Sequence, residues 1–281
     1  MESNEDDAWV PMAEGPNIWL NQNGWSRAMD PYDGSGGFYL SETLVDWLMT
    51  NNDPRLMIFT GGIGTYDDCR DDAPGCNKNP AEQLGRPNGH DGDTMKEWCQ
   101  LEPRCGGDGV TPIVDEFTFS RPNYDLLDKD EPYLWMTYSE VELLLAEIAV
   151  RGIASTPSSA AEHYNNGVRA AMQRWVLHDA SFEVDDATVD AYLAAHPLTG
   201  TESEQLDMIG HQYWVATWLN WFETYSNWRR SGYPTLQPAP HDKPGTDWYP
   251  YPGNVSNGQI FRRVKYPSSE AAINPNFSST A

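Results

Sequence analysis

Three times between residues 137 and 204 the chain repeats one helix-start signal: a hydroxyl residue, two spacers, then a glutamate. The pairs are Thr137 and Glu140, Ser159 and Glu162, and Thr201 and Glu204. In such a capping box each side chain satisfies a backbone N–H that the first helical turn leaves without a partner. The residues after each box keep helical spacing. In "TYSEVELLLAEIAVRG" Val141, Leu144, Leu145 and Ile148 share a face, and Gly152 supplies the stop. In "SAAEHYNNGVRAAMQRWVL" the apolar positions Tyr164, Val168, Ala171 and Trp175 step by helical turns. Two such helices joined by a short Ser/Pro loop predict an antiparallel hairpin. A shorter helix over 186–195 ends before Pro197, and the third box opens the longest one, running to Arg230. Upstream, "SETLVDWLMTNNDPRL" predicts a helix capped by Ser41, with Leu44, Val45 and Leu48 on one face, ended by Asn51, Asn52 and Pro54. The expected class is mainly α: tetratricopeptide-like helical hairpins packed with a long loop-rich region containing short strands, without an exact internal repeat.

The 281 residues suffice for one sizeable core. We read a single unit in four stretches: aromatic loops over 1–39, a loop-rich insert over 40–135, a helical core over 136–232, and C-terminal loops over 233–281. In the insert only short strands such as "TPIVDEFTF" have strand composition. The four cysteines, Cys69, Cys76, Cys99 and Cys105, all fall there. They allow three connectivities; local pairing of 69 with 76 and 99 with 105 is the simplest. A four-cysteine zinc site prefers shorter gaps than these outer two, and free thiols are the remaining alternative. Clustered local pairs favour an oxidising compartment.

Charge removes one class of partner. With 18 basic against 42 acidic residues the formal charge is −24, whereas nucleic-acid binding rests on a basic surface that displaces counterions. No apolar run is long enough to span a membrane. The start, "MESNEDDAWV", is neither a signal peptide nor a lipoprotein leader; with the cysteines, it points to a truncated export protein.

The densest aromatic stretch lies at the end of the longest expected helix. Trp214, Trp218, Trp221, Tyr225 and Trp228 step by four, three, four and three, widened by Tyr213 and Phe222. That spacing predicts one continuous buried stripe, a beam for the hairpin. Arg229 and Arg230 then complement the helix C-terminus.

Here motifs add to periodicity. "NWRRSGYPTLQP", with "FRRVKYPSSEAAINPNF" and a terminal Ala after it, resembles the ending of the SusD/RagB family of nutrient-binding outer-membrane lipoproteins of Bacteroidetes. "NNDPRL", "YLWMTYSEVELLLAEIAVRG" and "AAEHYNNGVRAAMQRW" are similar to further blocks of that family, in its order. The match runs from residue 41 to 277 and corresponds to the family's C-terminal half. The family's signal peptide, lipidated cysteine and earlier helical repeats have no counterpart in this sequence. The resemblance implies a non-catalytic, tetratricopeptide-containing protein that binds a nutrient, typically a glycan. It would hand that nutrient to a TonB-dependent transporter of the SusC type, at the outer membrane and cell surface, lipid-anchored in its full-length form.

Sugar binding needs exposed aromatic faces for the C–H side of the ring and polar groups for the hydroxyls. The family draws part of its ligand surface from loops before the Asp-Pro-Arg element. In this chain that segment offers Trp9, Asn17, Trp19, Asn21, Trp25 and Tyr32, with Trp19 and Trp25 the first candidates, against the reading that these rings pack on a core. No cofactor is expected. Calcium is the one candidate ion, through Asp67, Asp68, Asp71 and Asp72 of "YDDCRDD", weighed against a merely solvated acidic loop. Motifs for nucleophilic, zinc or phosphate chemistry are missing. The alternatives are a carboxylate-based glycoside hydrolase, open to any chain this rich in Asp and Glu, and a helical-repeat protein-interaction scaffold.

Overall fold

All three boxed segments are helices whose boxes close on both sides. The computed structural model describes residues 1–13, 22–29, 38–90, 92–105, 118–239, 259–263, 266–267, 269–274 and 276–277. In chain order they form β1 (Ala8–Val10), α1 (Gly24–Met29), α2 (Glu42–Thr50), α3 (Leu56–Phe59), β2 (Thr60–Gly62), α4 (Tyr66–Arg70) and α5 (Gly92–Leu101). Next come β3 (Arg121–Pro122), β4 (Tyr133–Met136), α6 (Tyr138–Arg151), α7 (Ala160–Gln173), α8 (Asp186–Ala195), α9 (Glu202–Ala216), α10 (Trp221–Ser231) and α11 (Glu270–Ile273). The expected mainly α class is what the chain adopts. Of the strand expected over 111–119, residues 111–117 lie outside the described set.

α6 and α7 are the hairpin, and α9 packs on both. The two hairpin helices approach closely because Gly167 has no side chain: a Cβ there would stand 2.7 Å from Leu143 Cγ. Gly152 takes the left-handed conformation (φ 62°) that ends α6. On α7 and the 3-10 turn that follows it at Arg174–Leu177, the expected face is the buried one, with Tyr164, Val168, Ala171 and Trp175 all inside.

α6 departs from expectation. Val141, Leu144, Leu145 and Ile148 do not form its buried face as a set; Leu143 and Ala146 are fully inside, beside Glu140, Glu142 and Glu147. The buried glutamates have partners. Glu140 accepts from Thr137 Oγ1 at 2.9 Å. Glu142 Oε2 lies 2.8 Å from His163 Nδ1. Glu147 accepts from Arg151 Nε at 2.8 Å and from both terminal nitrogens of Arg230 at 3.0 and 2.5 Å. Paired carboxylates can face a core, so the apolar pattern alone does not set this helix's rotation.

The largest correction concerns the aromatic beam, which is not one helix. α9 stops at Ala216, and α10 starts afresh at Trp221. Between them Leu219 adopts φ 71°, a left-handed conformation that costs a bulky residue on the order of 1 kcal/mol or more. Two threonines lace the break. Thr217 Oγ1 donates to the Tyr213 carbonyl at 2.8 Å, and Thr224 Oγ1 to those of Thr217 and Asn220 at 3.0 Å each. The stripe therefore splits. Tyr213, Trp218 and Trp228 are buried and Trp214 and Tyr225 half-buried, but Trp221 is 44% and Phe222 78% exposed.

The Asp-Pro-Arg element is structural. Arg55 and Asp53 are fully buried. Arg55 Nε and Nη2 donate to the two Asp53 oxygens at 2.9 and 2.6 Å, and Nη2 also donates to Gln212 Oε1 of α9 at 2.7 Å. Gln212 in turn donates to the Tyr192 hydroxyl of α8 at 2.8 Å. The result is one main core, with Leu44, Val45 and Leu48 of α2, Phe59 of α3, and Val168, Trp175, Ile209 and Trp218 from the helical half. Two antiparallel ribbons, β1 with β4 and β2 with β3, tie the irregular segments to it.

Candidate functional site

The α9–α10 break turns Trp214, Trp218, Trp221 and Thr224 toward the segment that leads into α2. Together with Phe38, Tyr39, Leu40, Ser41, Leu44 and Pro122 they line a cleft of about 280 Å³. The capping geometry of α2 fixes one wall, since Ser41 Oγ accepts from Leu44 N at 3.3 Å. Tyr39 is held more tightly: the guanidinium carbons of Arg86 and Arg121 lie 5.6 and 5.1 Å from its ring centre, and Phe119 meets it edge-on at 5.8 Å. Outside the cleft's lining, Tyr213 donates to Glu223 Oε1 at 2.8 Å, bridging α9 to α10. Burial, with Glu140 and Glu223 nearby, pushes that phenol far above its ordinary range. Of the rings presented here, Trp214 stands on α9 and Trp221 on α10, while Phe38 and Tyr39 belong to the segment before α2. No Asp or Glu is among the described residues that line the cleft.

Behind the cleft's rings lies the buried guanidinium of Arg174. Trp218 also borders a small internal cavity of about 20 Å³, with Trp25, Arg174 and His178. Arg174 donates to Thr137 Oγ1 at 3.0 Å and to the Ala216 carbonyl at the end of α9. Burial, opposed by Glu140 and Asp7, lowers its pKa to about 10. Arg174 Nε, His178 Nε2 and Trp25 Nε1 have no hydrogen-bond partner among the described residues, and a space of this size accommodates an ordered water.

The candidate residues expected from sequence scatter. Trp25 comes to the site from behind: its ring centre lies 4.3 Å from that of Trp221, and it is half-buried. Trp9 stands on β1, opposite Leu134 of β4, and is 45% exposed on that ribbon rather than in the cleft. Asn17, Trp19, Asn21 and Tyr32 lie outside the described residues. The cysteines pair as Cys69–Cys76 and Cys99–Cys105, the second pair inside a small cluster with Leu84, Met95 and Phe119.

The acidic stretch is a short helix, and its carboxylates diverge. Asp67 and Asp71 pair with Arg70, Asp72 with Lys78, and Asp68 accepts from Thr65 Oγ1 at 2.7 Å. Among the described residues no three His, Cys, Asp or Glu side chains come together as a metal site. The cleft rings that sequence reasoning does not reach are Trp214, Trp221, Phe38 and Tyr39. The first two fall within the expected continuous stripe, and only Asn220, a poor helix interior residue, hints at the break.

The family model described as "Starch-binding associating with outer membrane", SusD-like, matches residues 1–267. The chain belongs to the SusD-like family. Solved structures similar to it include a chitin-binding protein, 27% identical with TM-score 0.66; the match covers 98% of this chain and 51% of that one. A Bacteroidetes SusD-like protein is 24% identical with TM-score 0.65, over 98% of this chain and 58% of that one. A SusD homologue from Bacteroides fragilis is 21% identical with TM-score 0.66, over 98% and 53%. This SusD-like chain thus spans between half and three-fifths of the length of these three structures. No curated protein matches it. None of its described helices is long and apolar enough to cross a membrane.

Proposed function

We propose that this chain binds an uncharged oligosaccharide, without cleaving it, in the aromatic cleft at the α9–α10 break. It would present that glycan to a TonB-dependent transporter of the SusC type from a lipid anchor at the outer surface. The observation that carries the reading is the convergence of Trp214, Trp221, Phe38 and Tyr39 on one cleft. Aromatic faces take the C–H side of a sugar ring, and such pockets are mostly apolar with few polar groups. A charge of −24 disfavours polyanionic glycans. Cleavage would need two carboxylates flanking the bond, and the described residues of the cleft's lining offer none. The family's printed description names starch and the 27% identical structure is a chitin-binding protein, so these two polymers supply the first ligands to try.

The test is calorimetric titration of the chain with malto- and chito-oligosaccharides, with reducing ends assayed in parallel. Saturable binding with no new reducing ends is expected. Release of shorter sugars would make the protein a hydrolase. If no neutral glycan binds while a transporter barrel co-purifies, the scaffold reading replaces this one.

A further inference from the structure

We infer that the C-terminal end of α10 and the strap formed by residues 259–263 and 266–267 form a docking surface for an acidic segment of a partner protein. Three arginines stand on this face over aromatic rings. Arg229 lies 5.8 Å above the ring of Tyr225, Arg262 lies 5.2 Å above Trp228, and Arg263 lies 4.8 Å above Tyr266. The two rings of α10 are themselves stacked, with centres 6.3 Å apart and planes 21° from parallel. Arginine, tyrosine, tryptophan and arginine thus form one ladder across α10 and the strap. Tyr225 locks it by donating to the Phe261 carbonyl at 2.7 Å. Gly232 leaves room for it, since a Cβ there would stand 3.0 Å from Arg262 Nη2.

Charge makes this patch unusual. In a chain with 42 acidic residues, Arg229, Arg262 and Arg263 have no carboxylate partner among the described residues, whereas their neighbour Arg230 is taken by Glu147. A guanidinium resting on a ring keeps its N–H edge available for a carboxylate, which it can grip with two parallel bonds. All three arginines are exposed, together with Phe261 and Tyr266. Arginine with large aromatics is the composition of protein-interface anchors. None of the three arginines lines the aromatic cleft or the internal cavity, so the patch suits a protein contact better than an enclosed small ligand. At about 0.15 M salt charges interact over only ~8 Å, so an acidic segment seated here is largely screened from the rest of this negative molecule.

The experiment uses the full chain at that ionic strength and a fluorescein-labelled oligoglutamate peptide, read by anisotropy. Dextran sulfate and inorganic phosphate serve as competitors. Saturable binding is expected, weakened about ten-fold or more, roughly 1.4 kcal/mol, in R229Q/R262Q/R263Q with its circular dichroism unchanged. The R229K/R262K/R263K set keeps the charge but loses the planar edge, and falls between the two; it also serves if the glutamine set fails to fold. No saturable binding, or equal binding by the glutamine variant, overturns the inference. Dextran sulfate outcompeting oligoglutamate at the same arginines would overturn it in favour of an anionic glycan, and phosphate doing so in favour of a small anion.

Discussion

Trp221 and Arg55 show how far one residue's environment decides its role. Trp221 sits on a helix start, 44% exposed, with one neighbour ring behind it and the cleft in front. Replacing it by Ala removes one ring of the proposed glycan cleft and little of the core. The expected loss is about 1 kcal/mol of binding, roughly five-fold in affinity, with the urea midpoint unchanged; titration with the oligosaccharide that binds the parent checks the first and urea denaturation the second. Arg55 is the opposite case. It is fully buried, paired with Asp53 and bonded to Gln212. Arg55→Ala strands a carboxylate in the core and is expected to cost about 3–5 kcal/mol, measured by urea denaturation. "NNDPRL" makes the Asp-Pro-Arg element visible in sequence as a family motif. Its purpose is not visible there, because the bond that explains it reaches 157 residues along the chain to α9.

Among the elements, α6, α7, α9 and α10 respond to different tests. The α6–α7 contact depends on a bare backbone at Gly167. Gly167→Ala gains helix propensity, yet forces Leu143 or the helices apart; the net expectation is a loss of about 1–3 kcal/mol, read from the denaturation midpoint. α6 and α10 are joined by Glu147 through Arg230. Burial alone would raise the Glu147 carboxyl, but Arg230 and Arg151 hold it below its ordinary value of 4.5. The folded state therefore binds that proton less readily than the unfolded state. Its contribution is present above the ordinary value and fades as pH falls through the depressed folded one. In Glu147→Gln the drop in urea midpoint on acidification should be shallower than in the parent; an identical profile would show that this pair does not couple the helices. The helices are legible in sequence because capping boxes and Gly152 are local signals, satisfied within three or four residues. The α9–α10 break is not. It rests on Leu219 in a left-handed conformation and on Thr217 and Thr224 bonding carbonyls around it. Nothing in a four-three aromatic rhythm announces that, and the cleft exists because the rhythm is broken. α6 illustrates the same limit, since its rotation is set by His163 and Arg230 meeting its glutamates.

At the scale of the molecule, a helical core and an irregular segment are stabilised by different means. α2 and α3 send Leu44, Val45, Leu48 and Phe59 into the common core, so the region between them and β3 is anchored at both ends. Between the anchors it depends on the two short-range disulfides and on the small cluster around Met95 and Phe119. Each disulfide closes a short loop, with separations of 7 and 6 residues, for which chain entropy predicts roughly 2–3 kcal/mol apiece. Neither crosslink reaches the α6–α7–α9 packing. Reduction should therefore raise amide exchange over 60–105 by one to two orders of magnitude, about 1.4 kcal/mol per ten-fold, while α7 and α9 keep their protection. Hydrogen exchange with and without reductant decides it. Uniform loss of protection would mean that the crosslinked region and the helical core unfold together, and that the cleft depends on the disulfides. Confined loss would leave the wall made by Trp214 and Trp221 intact and loosen only the support that Arg86 gives Tyr39 on the facing segment.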